Sequence, residues 1–155
     1  MNNTDLSTEN TVYVTYLSSD PGKVWEALTS SKFTEQYFFG RTVESTWELG
    51  ARWLLRRPDG GVDVTGEVRE VDPPHKLALS WLVDEDLPEC IVTYELEPVS
   101  ESVVRLTMTE AHPTPIPAPL LEGGRKGWPM ILSGLKTLLE TGQPLKIPVP
   151  GPPSA

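Results

Sequence analysis

Between residues 103 and 112 the chain reads VVRLTMTEAH, and its apolar and polar positions alternate. Val104, Leu106, Met108 and Glu110 fall on one side, while Arg105, Thr107 and Thr109 fall on the other. A period of two predicts a β-strand with one face buried. CIVTYELE repeats the pattern with Cys90, Val92, Tyr94 and Leu96 together, and KLALSWLV gathers Leu77, Leu79 and Trp81, with Leu82 off phase. RWLLRR is ambiguous, because Trp53 with Leu55, or Leu54 alone, would suit burial. Gly66, in the middle of VDVTGEVREVD, predicts a bulge or a bend. With RTVEST these runs make six strands, separated by ELG, PDGG, DPPH, DEDLP and VSE. Strands joined by turns that short run antiparallel, since parallel neighbours need long crossovers.

Upstream, TVYVTYL (11–17) is β-branched and aromatic, a strand by propensity. Two short helices follow. Asp20 is the expected N-cap of the first, with Pro21 at its first position and Val24, Trp25 and Leu28 at helical spacing. KFTEQYFF makes the second, starting at Ser30 or Ser31 and closed by Gly40. At the other end, GRKGWPMILSGLKTLLETG (124–142) places Trp128, Ile131, Leu132, Leu135, Leu138 and Leu139 on one broad side. Gly142 signals a C-cap and Pro144 prevents continuation. Gly134 costs about 1 kcal/mol against alanine in mid-helix, which points to a close approach or to space left open. A sheet with one apolar face and a single long amphipathic helix pack most economically with the helix across the concave side of the sheet. The fold class is therefore α+β.

Residues 1–10 are polar and read as a disordered lead, and 143–155 (QPLKIPVPGPPSA) as an extended proline-rich tail. That leaves 11–142 as one domain. With 13 basic and 22 acidic residues the formal charge is −9, which disfavours nucleic acid and anionic membranes as partners. No run approaches the roughly 18 apolar residues of a membrane span. The lead has no secretory signal and Cys90 is the single cysteine, so a cytoplasmic protein without disulfides is expected, as a monomer or homodimer.

SSDPGKVWEALTSSKFTEQYFF, STWELGARW, GEVREVDPPHKLALSW, VVRLTMTEA and GWPMILSGLKTLLETG occur in that order. In this they resemble the activator of heat-shock-protein-90 ATPase homologue family, of the START-like helix-grip superfamily. The resemblance spans residues 11–142. It implies a seven-stranded antiparallel sheet curled around the C-terminal helix, with a cavity between them. Superfamily members mostly hold apolar or amphipathic small molecules there, and some have become cyclases, dehydratases or hydrolases. The co-chaperone that names the family carries an extra N-terminal domain. Residues 1–10 are too short to supply it, so chaperone activation is not carried over. Many relatives end the last strand in Thr-His; here Thr109 is followed by Glu110, with His112 two residues later.

Glu110 shares a strand face with Leu106 and Met108. Buried there, its carboxyl would act as a general acid or base or anchor a polar ligand group. At the strand's end it would instead sit in water or pair with Arg125 or Arg69. His112, in the loop before the last helix, either lines a cavity mouth or is solvated; His75 lies in a turn. Cys90 reads as a small core residue rather than a nucleophile. Metal binding is not expected, because Cys90, His75 and His112 show no recognised ligand spacing. No cofactor motif is present. The expected cavity lining is Tyr37, Phe38, Trp53, Trp81, Tyr94, Met108, Glu110, Trp128, Leu132 and Leu135, a set that an ordinary packed core would also explain.

Three functions remain open. The first is non-catalytic binding of an apolar or amphipathic small molecule between sheet and helix. The second is an enzyme of unassigned reaction using Glu110 with His112 or Tyr94, and the third a co-chaperone-like interaction module. A cavity of several hundred Å³ supports the first two; within them, a buried Glu110 without a cationic partner favours catalysis.

Overall fold

The computed structural model describes residues 6–147. Strands Leu6–Ser7 (β1) and Thr11–Ser18 (β2) precede helices Pro21–Thr29 (α1) and Ser31–Tyr37 (α2). Strands Thr42–Ser45 (β3), Arg52–Arg56 (β4), Val62–Asp72 (β5), Lys76–Trp81 (β6), Cys90–Ser100 (β7) and Val103–Ala111 (β8) follow. Ile116–Pro117 (β9) and helix Ala118–Thr141 (α3) complete the order. β2 to β8 form one antiparallel sheet in the order β2-β8-β7-β6-β5-β4-β3. The architecture is α+β and has the helix-grip form: a curved seven-stranded sheet, two short helices after its first strand, and the long helix that closes the core.

Strand phase matches the sequence pattern. Val104, Leu106, Met108 and Glu110 are all buried, as are Cys90, Val92, Tyr94 and Leu96. The ambiguity in β4 resolves with Trp53 and Leu55 inward and Leu54 half-buried. Inward faces of the strands share one core with Trp128, Leu132 and Leu135 of α3.

The helix ends are set by the expected chemistry. Asp20 accepts the Lys23 backbone N–H at 3.0 Å, capping α1. Gly142 takes φ 77° and donates its N–H to the Leu138 carbonyl at 2.8 Å. Asp20→Ala is expected to cost about 1 kcal/mol. The check is the urea midpoint at unchanged denaturant slope; an unmoved midpoint would show that the cap contributes nothing. Gly134 is a close approach, since a Cβ there would lie 3.2 Å from Tyr37 Cβ on α2.

Three expectations change. Within the lead read as disordered, Leu6 and Ser7 pair with Pro117 and Ile116, so part of it is a strand; residues 1–5 lie outside the described residues. Within the proline-rich tail, Leu145 and Ile147 line a hollow with Tyr37 and Met130, and 148–155 lie outside the described residues. The last helix begins at Ala118, not near Gly124. Proline is tolerated in a first turn because the missing N–H has no helical partner there, so APLLEGG continues the helix where a linker was expected.

Candidate functional site

The extra turns of α3 position the site. Those turns add Leu120 and Gly123 to a helix face that continues through Gly124, Gly127 and Ile131, all of which border a cavity of about 300 Å³. A Cβ placed on Gly123 or Gly127 would meet nothing within 4 Å. The cavity exists because the helix omits side chains where it passes over the sheet. Opposite stand Phe38, Trp81, Leu55 and Val64, and Trp128 closes one side. The rings interlock: Trp81 lies 5.5 Å from Trp128 and 6.2 Å from Phe38, centroid to centroid. At the rim, Arg41 Nε and Asp63 Oδ2 form an ion pair at 2.6 Å.

The polar end of the cavity comes from the neighbouring ends of β7 and β8. Ile91 pairs with Ala111 and Val92 with Glu110. One step further along this ladder sets Cys90 beside His112, while Glu110 and His112, two residues apart, keep the same phase. Glu110 is 7% exposed and His112 5%. His112 Nε2 lies 2.8 Å from Glu110 Oε2, and Trp128 donates its indole N–H to Glu110 Oε1 at 2.9 Å. Gly124 lets the helix come this near, since a Cβ there would sit 3.3 Å from both carboxylate oxygens. His112 Nδ1 is buried without a hydrogen-bond partner among the described residues. Burial pushes the Cys90 thiol up to about 12, and the Glu110 carboxylate adds to the shift.

Of the ten residues expected to line the cavity, Phe38, Trp81, Glu110 and Trp128 do. Tyr37, Trp53 and Tyr94 instead border a void of about 10 Å³ deeper in the core, and Tyr37 also the hollow beside Leu145 and Ile147. Met108, Leu132 and Leu135 border neither space and are fully packed. Burial pushes the Tyr37 phenol up, with Tyr94 adding to it, and Tyr37 O–H donates to the Ala27 carbonyl at 2.8 Å. Tyr94 is likewise raised by burial and flanks Trp128 instead of facing the cavity. The cations proposed for Glu110 are engaged elsewhere: Arg125 with Glu9 and Glu122, Arg69 with Glu89 and Glu67. Cys90 is in the core as read, but it also borders the cavity. Ligand spacing along the chain argued against any metal. Strand register nevertheless brings ligand atoms of Cys90, Glu110 and His112 within 4.8 Å of one another. Of the cavity glycines, Gly123 read as linker, while Gly124 and Gly127 fell inside the expected helix without being seen as cavity-forming.

The family model described as "Activator of Hsp90 ATPase homolog 1-like protein" matches residues 18–140. A crystal structure of a Mesorhizobium loti protein is similar at 27% identity and TM-score 0.72, covering 84% of this chain and 96% of that one. An HSP90 activator from Plasmodium falciparum shares the fold at 22% identity and TM-score 0.71, covering 84% and 95%. DynU16, a protein of the dynemicin biosynthetic locus, shares it at 24% identity and TM-score 0.72, covering 87% of this chain and 48% of that one. No curated protein matches. No helix among the described residues is long and apolar enough to cross a membrane.

Proposed function

Since this chain belongs to the activator of Hsp90 ATPase homologue 1-like family, we propose that it uses the hollow of that family's fold to bind a small amphipathic molecule without transforming it. The observation that carries this reading is a cavity with aromatic walls that ends on a buried Glu110–His112 pair, one ring nitrogen of which has no partner. Apolar walls with a few convergent polar groups are what a small-molecule site requires. At about 300 Å³ the space lies at the lower end of ligand sites. It is about twice the 150 Å³ that holds benzene, which suits a two-ring aromatic or a short acyl chain with one polar end. The apolar body would rest against Phe38, Trp81 and Trp128, and the polar end would reach Glu110 and His112. A chain of the same fold from a biosynthetic locus lends circumstantial support.

Native mass spectrometry for a co-purified guest and displacement of an apolar fluorescent probe test the reading. Gly127→Leu should fill the cavity and weaken probe binding more than tenfold. Replacing a helical glycine should at the same time hold or raise stability, by up to about 1 kcal/mol. Undiminished probe binding in this variant, or a wild-type protein that takes up neither aromatic acids nor acyl chains, would refute the reading. One observation favours the catalytic alternative: Glu110 faces the cavity without a lysine or arginine partner among the described residues. A guest recovered chemically altered would establish turnover; one recovered intact restricts the site to binding.

A further inference from the structure

We propose that Cys90, Glu110 and His112 form a binding site for one zinc-class divalent cation, with a remaining coordination position open to the cavity. Their ligand atoms already lie within 4.8 Å of one another, and all three residues are buried. With Zn–S of about 2.3 Å and Zn–N and Zn–O of about 2.0–2.2 Å, tetrahedral angles set ligand atoms about 3.3–3.6 Å apart. Side-chain rotation by about an ångström closes that difference.

The donor set selects the metal. One thiolate, one imidazole and one carboxylate suit a borderline-soft ion, whereas Mg²⁺ and Ca²⁺ want oxygen ligands alone. Charge points the same way. A thiolate and a carboxylate carry two negative charges, and the described residues provide neither with a lysine or arginine partner. A divalent cation would make the filled cluster neutral, the state that a buried site accepts at least cost. The imidazole adds independent support, because Nδ1 of His112 is buried with no partner among the described residues. The Trp128 indole, bonded to the other carboxylate oxygen, would hold Glu110 in place as the partners of metal ligands commonly do.

Three protein ligands with an open position are the arrangement of zinc sites that exchange a water or a guest's donor atom. Gly123 and Gly124 place no side chain between the cluster and the cavity. On binding, the metal takes the place of the Cys90 proton, which passes to solvent. No electrons move.

The test uses the whole chain after chelator treatment, with Zn²⁺ and Co²⁺ as probes. One equivalent of either should bind saturably and raise the thermal midpoint; Mg²⁺ and Ca²⁺ at the same concentration should not. The Co²⁺ form should show an intense thiolate-to-metal charge-transfer band. Cys90 is the only cysteine, so that band can come from nowhere else. Cys90→Ser should abolish the band, and Glu110→Gln or His112→Gln should weaken Zn²⁺ binding more than tenfold. A wild-type protein with no charge-transfer band overturns the proposal. So does Zn²⁺ affinity that survives Cys90→Ser, which would place the ion among the 22 acidic side chains. If the variants do not fold, the wild-type cobalt spectrum decides alone. Apolar-probe binding and metal binding are read separately, so either proposal can fail while the other stands.

Discussion

Replacing Gly66 with alanine should destabilise the protein by about 3 kcal/mol, although it adds a single methyl group. A Cβ at this position would lie 1.8 Å from the Ser80 carbonyl oxygen and 2.7 Å from Trp53 Nε1. Those two atoms are hydrogen-bonded to each other at 2.8 Å. The methyl therefore enters a buried hydrogen bond that joins β4 to β6 across β5. Between Val68–Leu79 and the Thr65–Leu82 bridge the β5–β6 ladder is interrupted, with its register kept. Here Ser80 Oγ accepts the Glu67 N–H at 2.8 Å, and the Ser80 carbonyl takes the Trp53 indole. Overpacking of a tight interior costs about 1–3 kcal/mol, and an orphaned buried polar group about 1–3 kcal/mol more. Reduced freedom of the unfolded chain returns at most about 1 kcal/mol. At about 2–4 °C per kcal/mol for a chain of this size, the thermal midpoint should fall by about 6–12 °C. Gly127→Ala is the control: the same methyl meets open space in a helix, so the midpoint should hold or rise. A Gly66→Ala midpoint equal to wild type would mean that the contact is not tight in solution.

Gly66 also shows what could be read in advance. A glycine inside a run of alternating strand residues pointed to a bulge or a bend, but Gly66 pairs with Trp53 in unbroken register; the glycine is needed for the close approach of a carbonyl and an indole from two other strands, which has no mark in the local sequence. The sheet was legible because burial of one face leaves a period of two, as in Val104, Leu106, Met108 and Glu110. The first turns of α3 were not legible. Pro119 and Gly123 make APLLEG resemble a linker, and glycines at the start of the expected helix, Gly124 and Gly127, do not by themselves announce a cavity. Strand phase gave the face of Glu110 but left open whether it was buried or sat in water at the strand's end; the structure buries it. His112 shares that phase two residues on, but the proline after it suggested a loop. Cys90 joins them only through the register of β7 on β8, so chain spacing could not reveal the cluster. The aromatic set was identified as a group. Sequence could not divide it into Phe38, Trp81 and Trp128 at the cavity and Tyr37, Trp53 and Tyr94 in the core, because the distinction depends on where α3 lacks side chains.

Trp128→Ala should cost about 3–5 kcal/mol, the range for removing a large buried aromatic. Trp128 is 4% exposed, with ring centroids of Trp81, Phe38 and Tyr94 at 5.5, 5.8 and 6.2 Å. Trp128→Phe separates packing from hydrogen bonding. The six-membered ring remains, but Glu110 Oε1 loses the only donor bonded to it among the described residues. A buried acceptor left unpaired costs about 1–3 kcal/mol. If that is the source of the loss, Glu110→Leu should recover much of it, because no carboxylate then needs a partner. The four proteins form a double-mutant cycle with an expected coupling of about 1–2 kcal/mol. Additivity within about 0.5 kcal/mol would instead assign the Trp128 contribution to ring packing alone. In that case the indole would not hold Glu110, and the position of the carboxylate would depend on Gly124 and His112. Coupling of the expected size would mean that one side chain both walls the cavity and orients its polar end. Stability and guest affinity should then fall together in Trp128→Phe, whereas Gly127→Leu should lower affinity alone.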